Sequence, residues 1–286
     1  MERPRSDKIR IDLMQLRIDS KGLQEALESV KGSGVYAVAD GTKKGVLGDF
    51  AFLTQTADEL EVWNADVGFI LKVHIPLLET PREWQGWSFA TKDLSVNVTV
   101  RISEILPILK KFNGNITIEG GPQLTIRDSN GNKFRLNSVQ THPNLGVIQR
   151  VSLMNIMEEG SMPKFNNTHY EGYFRIDSKL FSETMKFCEL VRSGIYTLDF
   201  NPHPNPDGVH LGISSSNRGD KDYEYFFTPI TEILDYSGEA ATVSFSGPIH
   251  NFFNHGTSID FYTKDAFPIL LIAVDRMLIK TPRVEE

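Results

Sequence analysis

Two carboxylates and two imidazoles fall close together at Asp199, His203, Asp207 and His210, residue types able to hold a divalent metal. Their spacing matches no recognised ligand pattern. The stretch Asn201–Gly208 is rich in Pro and Asn and reads as a solvated connection between strands. A metal-dependent hydrolase using the Asp199–His210 loop is therefore kept only as an alternative from another class; the leading expectation is no metal and no cofactor. Cys188, the single cysteine, lies on the apolar side of a helical run, where a buried inert thiol is expected rather than a nucleophile. The chain has no Gly-x-Ser-x-Gly, P-loop, Gly-x-Gly-x-x-Gly after a strand, or His-Glu-x-x-His. No catalytic residue is assigned, and the chain reads as a non-enzyme.

Lysines form a second chemical pattern. Lys179 and Lys186 share one side of a predicted helix, Lys110 and Lys111 flank the apolar stripe of another, and Lys21 stands in a third where Lys179 stands in its own. Brought to one surface, they would contact a phosphate backbone without reading bases, giving salt-sensitive, sequence-independent binding. The net charge of −7, from 30 basic and 37 acidic residues, argues against a protein coated by nucleic acid, so the placement of the lysines matters more than their number.

The elements that carry these residues repeat. "RIDSK" stands at Arg17–Lys21 and again at Arg175–Lys179; each copy ends a strand, opens a helix and leads to Ser-Gly, a β-branched residue and Tyr (Ser33–Tyr36, Ser193–Tyr196). The apolar spacing predicts helices over Lys21–Lys31, Glu104–Phe112 and Lys179–Arg192, capped by Ser20, Ser103 and Ser178, and a brief one from Ser246 through His255. Pro107 is expected in a first turn. The third helix is expected to bury Leu180, Thr184, Phe187, Cys188 and Val191. Elsewhere period-two alternation predicts strands. Asn115–Glu119, Gln123–Arg127 and Asn132–Leu136 form a three-stranded meander with good turn residues, and Ile195–Phe200, Val209–Ser214 and Tyr223–Thr228 form its counterpart. A second repeat relates Val100–Glu119 to Val243–Tyr262. The chain is therefore α+β, with two similar domains at 1–140 and 170–286, each of two strand–helix–meander units with helices on one face of antiparallel sheets. A connector, 141–169, joins them. At 286 residues this length is ordinary for two domains. The single cysteine and the lack of a secretory signal or a long apolar run lead to the expectation of a cytoplasmic (nucleoid) or nuclear protein, not secreted and not membrane-bound.

This pattern resembles the PCNA-type DNA sliding clamp, a DNA polymerase processivity factor. Local segments carry the resemblance in the family's order: "VWNADVGFILKVHI" (Val62–Ile75), "VRISEILPILKKF" (Val100–Phe112), "TSIDFYTKDAFPILLIAV" (Thr257–Val274) and the ending "TPRVEE" (Thr281–Glu286). The sequence departs from the family by extra length in 40–50, 80–92 and the connector. It also has a shorter run from Pro268 to Pro282 and a fourth helix that offers Asn251, Asn254 and His255 outward and no Lys or Arg.

The resemblance implies a trimeric ring around duplex DNA that tethers polymerase and other replication and repair enzymes, put in place by a clamp loader. It implies that Lys21, Lys110, Lys111, Lys179 and Lys186 face the DNA. Subunits would join through Lys133–Val139 and Tyr223–Ile230, with Lys133, Phe134, Arg135, Leu136, Tyr223, Tyr225 and Phe227 in the interface. Client peptides would enter a pocket at Ala65, Asp66, Val67, Val147, Ile148, Pro268, Thr281 and Pro282. A clamp-like regulatory subunit acting as a monomer or in a mixed ring is the nearer alternative.

Overall fold

The computed structural model describes residues 14–31, 35–37, 44–46, 49–56, 58–66, 68–80, 96–121, 123–138, 162–165, 168–191, 193–205, 208–218, 223–247, 249–253 and 256–283. The chain divides into two compact units. The first comprises Met1–Val62, Ile75–Trp84 and Thr91–His142, and the second Trp63–His74, Gln85–Ala90 and Pro143–Glu286.

Alternation builds the first unit. In β1 (Met14–Asp19) Met14, Leu16 and Ile18 are buried and the residues between them exposed. The helix α1 (Ser20–Val30) follows at once and buries Leu23, Ala26, Leu27 and Val30. Next come β2 (Val35–Ala37), β3 (Lys44–Val46), β4 (Phe50–Gln55), the first half of β5 (Glu59–Asp66), whose residues from Trp63 belong to the second unit together with most of β6 (Phe69–Pro76), and then β7 (Val96–Arg101). The helix α2 (Ile102–Leu109) and the meander β8 (Asn115–Gly120), β9 (Gln123–Asp128) and β10 (Lys133–Asn137) complete the unit. A four-stranded antiparallel sheet runs β1-β8-β9-β10. Ile116, Ile118, Leu124 and Ile126 point into the same core as the buried sides of α1 and α2. The expected meander is present, and β10 is its open edge.

The second unit repeats the design. It contains β11 (Lys164–Phe165), β12 (Thr168–His169), β13 (Gly172–Asp177), α3 (Ser178–Cys188), β14 (Ile195–Asn205), β15 (Gly208–Arg218) and β16 (Tyr223–Pro229). It ends with β17 (Asp235–Gly238), β18 (Ala241–Ser246), β19 (Ser258–Thr263), β20 (Ile269–Ala273) and β21 (Arg276–Lys280). One antiparallel sheet runs β16-β15-β14-β18, leaving β16 as an open edge; in another, β17-β13-β19-β20-β21-β6 are successive neighbours. Its core is aromatic. Phe174 stacks on Phe261 at 4.6 Å, with Phe200 at 4.9 Å from Phe174 and Phe181 edge-on to Phe261 at 5.1 Å. Among the described residues no helix is long and apolar enough to cross a membrane.

Four local expectations are corrected. First, the caps of α1 and α3 are Asp19 and Asp177, not the serines. Asp19 Oδ2 accepts from the Gly22 N–H at 2.9 Å, and Asp177 Oδ1 accepts from the N–H groups of Lys179 (2.8 Å) and Leu180 (3.2 Å). Ser20 and Ser178 are buried first helical residues whose backbone N–H groups donate to Gly114 and Thr257 carbonyls, each at 2.9 Å. Second, Ser103 does not cap α2. The carboxylate of Asp49 accepts from the Ser103 N–H (2.8 Å) and hydroxyl (2.6 Å), the helix begins two residues earlier, at Ile102, and Pro107 falls in its second turn. Third, α3 stops at Cys188 and passes into a 3-10 turn, Glu189–Val191. Thr184, Cys188 and Val191 are buried as expected, but Phe181 and Met185 are buried beside them while Leu180 is half-buried and Phe187 is 54% exposed. Fourth, the expected helix after Ser246 is only a 3-10 turn, His250–Phe252, although Ile249, Phe252 and Phe253 are buried as expected.

Candidate nucleic-acid interface and partner-binding edges

The duplicated pentapeptide places a lysine on each unit. Strand geometry brings Asp19 and Asp177 to the helix entrance, the Asp side chain closes the first turn, and the serine turns inward. Lys21 and Lys179 are left outward, with side chains 81% and 70% exposed. Lys110 and Lys111 stand at the exposed end of α2, and Lys186 on the exposed side of α3. In the first unit α1 and α2 lie side by side, with Gln24 Nε2 donating to the Leu109 carbonyl at 3.1 Å. In the second unit the 3-10 turn packs beside α3, with Phe253 6.4 Å from Phe181. That turn carries no Lys or Arg, so among the described residues α3 supplies the second unit's helical lysines.

Each unit also offers an open strand edge. On β10 Lys133, Phe134 and Arg135 are exposed and Leu136 is buried. Repulsion from Arg127, then Arg135, holds the Lys133 pKa below its ordinary value. On β16 Tyr225 is 56% and Phe227 37% exposed. Phe227 lies parallel to His210 at 5.8 Å and close against Gly212, where a Cβ would come within 2.3 Å of the ring. Phe226, on the other face of β16, stacks with Phe187 of α3 at 6.1 Å. Aromatic surface therefore wraps both sides of this edge. Phe187 had been expected inside; the open edge is what it sits beside. Only the backbone of Tyr223 is described.

Some of the residues expected to receive a client peptide lie at one end of a sheet. Ile269 pairs with Lys280, and Lys280 with Phe69; the Thr281 N–H then donates to the Gly68 carbonyl at 3.1 Å. The registers of β6, β21 and β20 thus bring Gly68, Thr281 and Pro268 to one end of the sheet, with Pro282 next along the chain. Beside Pro268, Phe267 is edge-on to Phe165 at 5.8 Å and to Tyr170 at 5.4 Å. Sequence reasoning missed this aromatic group; the signal was Phe165 and Tyr170 on either side of the short β11–β12 hairpin. Burial pushes the Tyr170 pKa well up. Val67, Val147 and Ile148 lie outside the described residues, as does most of the connector.

The loop that resembled a metal site does not gather its described members. His210 Nε2 is 3.4 Å from Asp199 Oδ2, whereas His203 Nε2 is 3.5 Å from Glu239 Oε2, so the histidines belong to different carboxylates. Asp207 lies outside the described residues. Cys188 is buried, its Sγ 3.6 Å from the Ile213 carbonyl, and burial pushes its thiol up to about 11.

The arrangement defines a class of architecture: a strand–helix–meander unit repeated along the chain, helices on one face and open strand edges. No family model matches the chain, and no curated protein does. Solved structures do. The DNA polymerase sliding clamp of Bacillus subtilis is 15% identical, with a TM-score of 0.64 over 100% of this chain and 68% of that one. The Archaeoglobus fulgidus PCNA bound to the C-terminal region of FEN-1 is 14% identical, with a TM-score of 0.57 over 95% of this chain and 99% of that one. The Helicobacter pylori β clamp bound to a DNA ligase peptide is 13% identical, with a TM-score of 0.60 over 99% of this chain and 68% of that one. The chain has the fold of the DNA sliding clamps.

Proposed function

We propose that this chain is a sliding clamp, a non-enzymatic ring that encircles duplex DNA and tethers polymerase and other replication or repair enzymes. The observation that carries the reading is the pair of open edges, β10 in one unit and β16 in the other, on a duplicated design with its helices on one face. A strand edge left unpaired invites another chain. Because the two edges differ, their contact is heterologous, and such contacts close a ring when the rotation allows. Lys133, Phe134, Arg135 and Leu136 of one copy meet Tyr223, Tyr225 and Phe227 of the next, in a homotrimer with domains 1–140 and 170–286 joined by 141–169. Lys21, Lys110, Lys111, Lys179 and Lys186 face the DNA. Client peptides dock at Ala65, Asp66, Val67, Val147, Ile148, Pro268, Thr281 and Pro282. The clamps of Archaeoglobus fulgidus and Helicobacter pylori hold peptides of FEN-1 and DNA ligase, which supports peptide docking here.

Mass in solution across a concentration series tests the assembly, and a closed trimer is expected. Alanine at Lys110, Lys111, Lys179 and Lys186 should weaken DNA-stimulated polymerase processivity while leaving the trimer intact; unchanged processivity would remove the DNA-facing assignment. A second reading, a clamp-like regulatory subunit that is monomeric or joins a mixed ring, is favoured by the 3-10 turn where the repeat calls for a lysine-bearing helix. A strict monomer at every concentration would select it.

A further inference from the structure

The helix lysines do not stand alone. Lys21 Nζ is 4.0 Å from Glu25 Oε1 and Lys179 Nζ is 3.9 Å from Glu183 Oε1, so the same pair recurs one turn into each repeat. The duplicated segment is in fact Arg-Ile-Asp-Ser-Lys-x-x-x-Glu, at Arg17–Glu25 and Arg175–Glu183. In the first unit Lys110 Nζ is 3.2 Å from Glu28 Oε1, a contact from α2 to α1. Lys111 and Lys186 form no ion pair among the described residues.

Helix stability does not account for the repeated pair. A cation in the first turn faces the positive end of the helix dipole, where a carboxylate is preferred. Lys followed by Glu four residues later is also the weaker order of an i,i+4 pair. Both copies therefore hold a lysine where the helix disfavours it and a glutamate that offsets its charge. On α1 and its two caps the described exposed charges are Lys21 and Lys31 against Asp19, Glu25 and Glu28, one negative in sum.

We infer that Glu25, Glu28 and Glu183 act as a charge brake on the helix face, keeping its affinity for duplex DNA low enough for the protein to slide. This rests on the clamp reading. A lysine already matched by a carboxylate gains little when it meets a phosphate, because the carboxylate repels that phosphate and fewer counterions leave the DNA. The pairs are exposed and contribute little to folding, so glutamine at these positions changes the field of the face and not its structure. Lys111 and Lys186 then supply most of the attraction.

The test is fluorescence anisotropy with a labelled mixed-sequence duplex, titrated with the full chain over a range of salt. The triple variant Glu25→Gln, Glu28→Gln, Glu183→Gln is expected to bind about tenfold tighter at ~50 mM salt, with a salt slope steeper by roughly two. A control triple variant of equal charge change, Glu171→Gln, Glu239→Gln, Asp265→Asn, around the end of β13 opposite α3, is expected to stay within about twofold of the parent by the same measure, because a field falls off over a Debye length. Equal tightening by the control would overturn the brake in favour of net charge. If glutamine at the three sites changes nothing while alanine at Lys111 and Lys186 weakens binding, the brake fails and the DNA-facing reading stands. If neither set changes binding, that reading fails and the brake with it.

Discussion

Replacing Tyr225 by alanine removes the largest exposed aromatic surface among the described side chains of β16. The ring is 56% exposed in the isolated chain. Of ~200 Å² for such a side chain, roughly 110 Å² remains to be covered by a neighbour. At ~25 cal/mol per Å² that area corresponds to about 2–3 kcal/mol of association free energy when fully covered. Each 1.4 kcal/mol is a factor of about ten, so Tyr225→Ala should weaken subunit association by roughly 30- to 100-fold. Phe227, 37% exposed, is a less clean choice because its ring also stacks on His210 and covers Gly212 within the same chain. Sedimentation velocity across a dilution series reads the shift directly. Tyr236→Ala is the matched control: that ring is 46% exposed, but on β17 rather than β16. Folding should be unaffected to within about 0.5 kcal/mol for such a surface change. If Tyr225→Ala dissociates over the same concentration range as the parent, β16 is not a joining edge and the ring geometry built on it is wrong.

Asp177→Ala should cost about 1–2 kcal/mol, because two helix N–H groups lose their acceptor, and Asp19→Ala about 1 kcal/mol, because one does; the asparagine variants should be close to neutral, as read from urea unfolding midpoints. Arg175 forks onto Asp260 through Nε (2.5 Å) and Nη2 (3.1 Å), and Tyr173 donates to the same carboxylate at 3.0 Å. Arg175→Lys loses the fork and should cost about 1 kcal/mol, a modest figure because the guanidinium is 41% exposed; an unchanged guanidinium chloride midpoint would show the fork to be idle. Cys188, with its thiol pushed up to about 11 by burial, stays protonated in the folded state where an unfolded thiol ionises. Iodoacetamide at pH 9 should therefore label the native protein far more slowly than the unfolded one. The sign follows from a folded value above the unfolded one: the stability from this group is fully present below the unfolded pKa near 9 and is lost as pH rises through about 11.

Much of the fold was legible because its signals are local. Period-two alternation and Gly, Asn and Asp turns marked β8, β9 and β10 and their counterparts β14, β15 and β16, and the repeated pentapeptide located the entrances to α1 and α3. The errors fell where two local readings compete. Along α3 apolar residues stand at Leu180 and Phe181 and again at Phe187 and Cys188, so two faces fit the helical period. Packing against Phe261 and Phe253 chose the one containing Phe181. After Ser246 the apolar spacing suits a helix, yet the described residues form a 3-10 turn, and Gly247, with φ of 80°, lies outside helical backbone before it.

What the sequence alone determined was the order of elements, their duplication and the residue types at each helix entrance, since these depend on neighbours two to four positions apart. Tertiary structure alone decided that Asp49 would cap a helix 54 residues away, that Glu28 would reach Lys110, and that Gly68, Thr281 and Pro268 would line up across three strands. Such partners are distant along the chain and carry no mutual signal in it. They meet because sheet register and the burial of apolar faces fix where each backbone runs, and only then do their side chains come within reach.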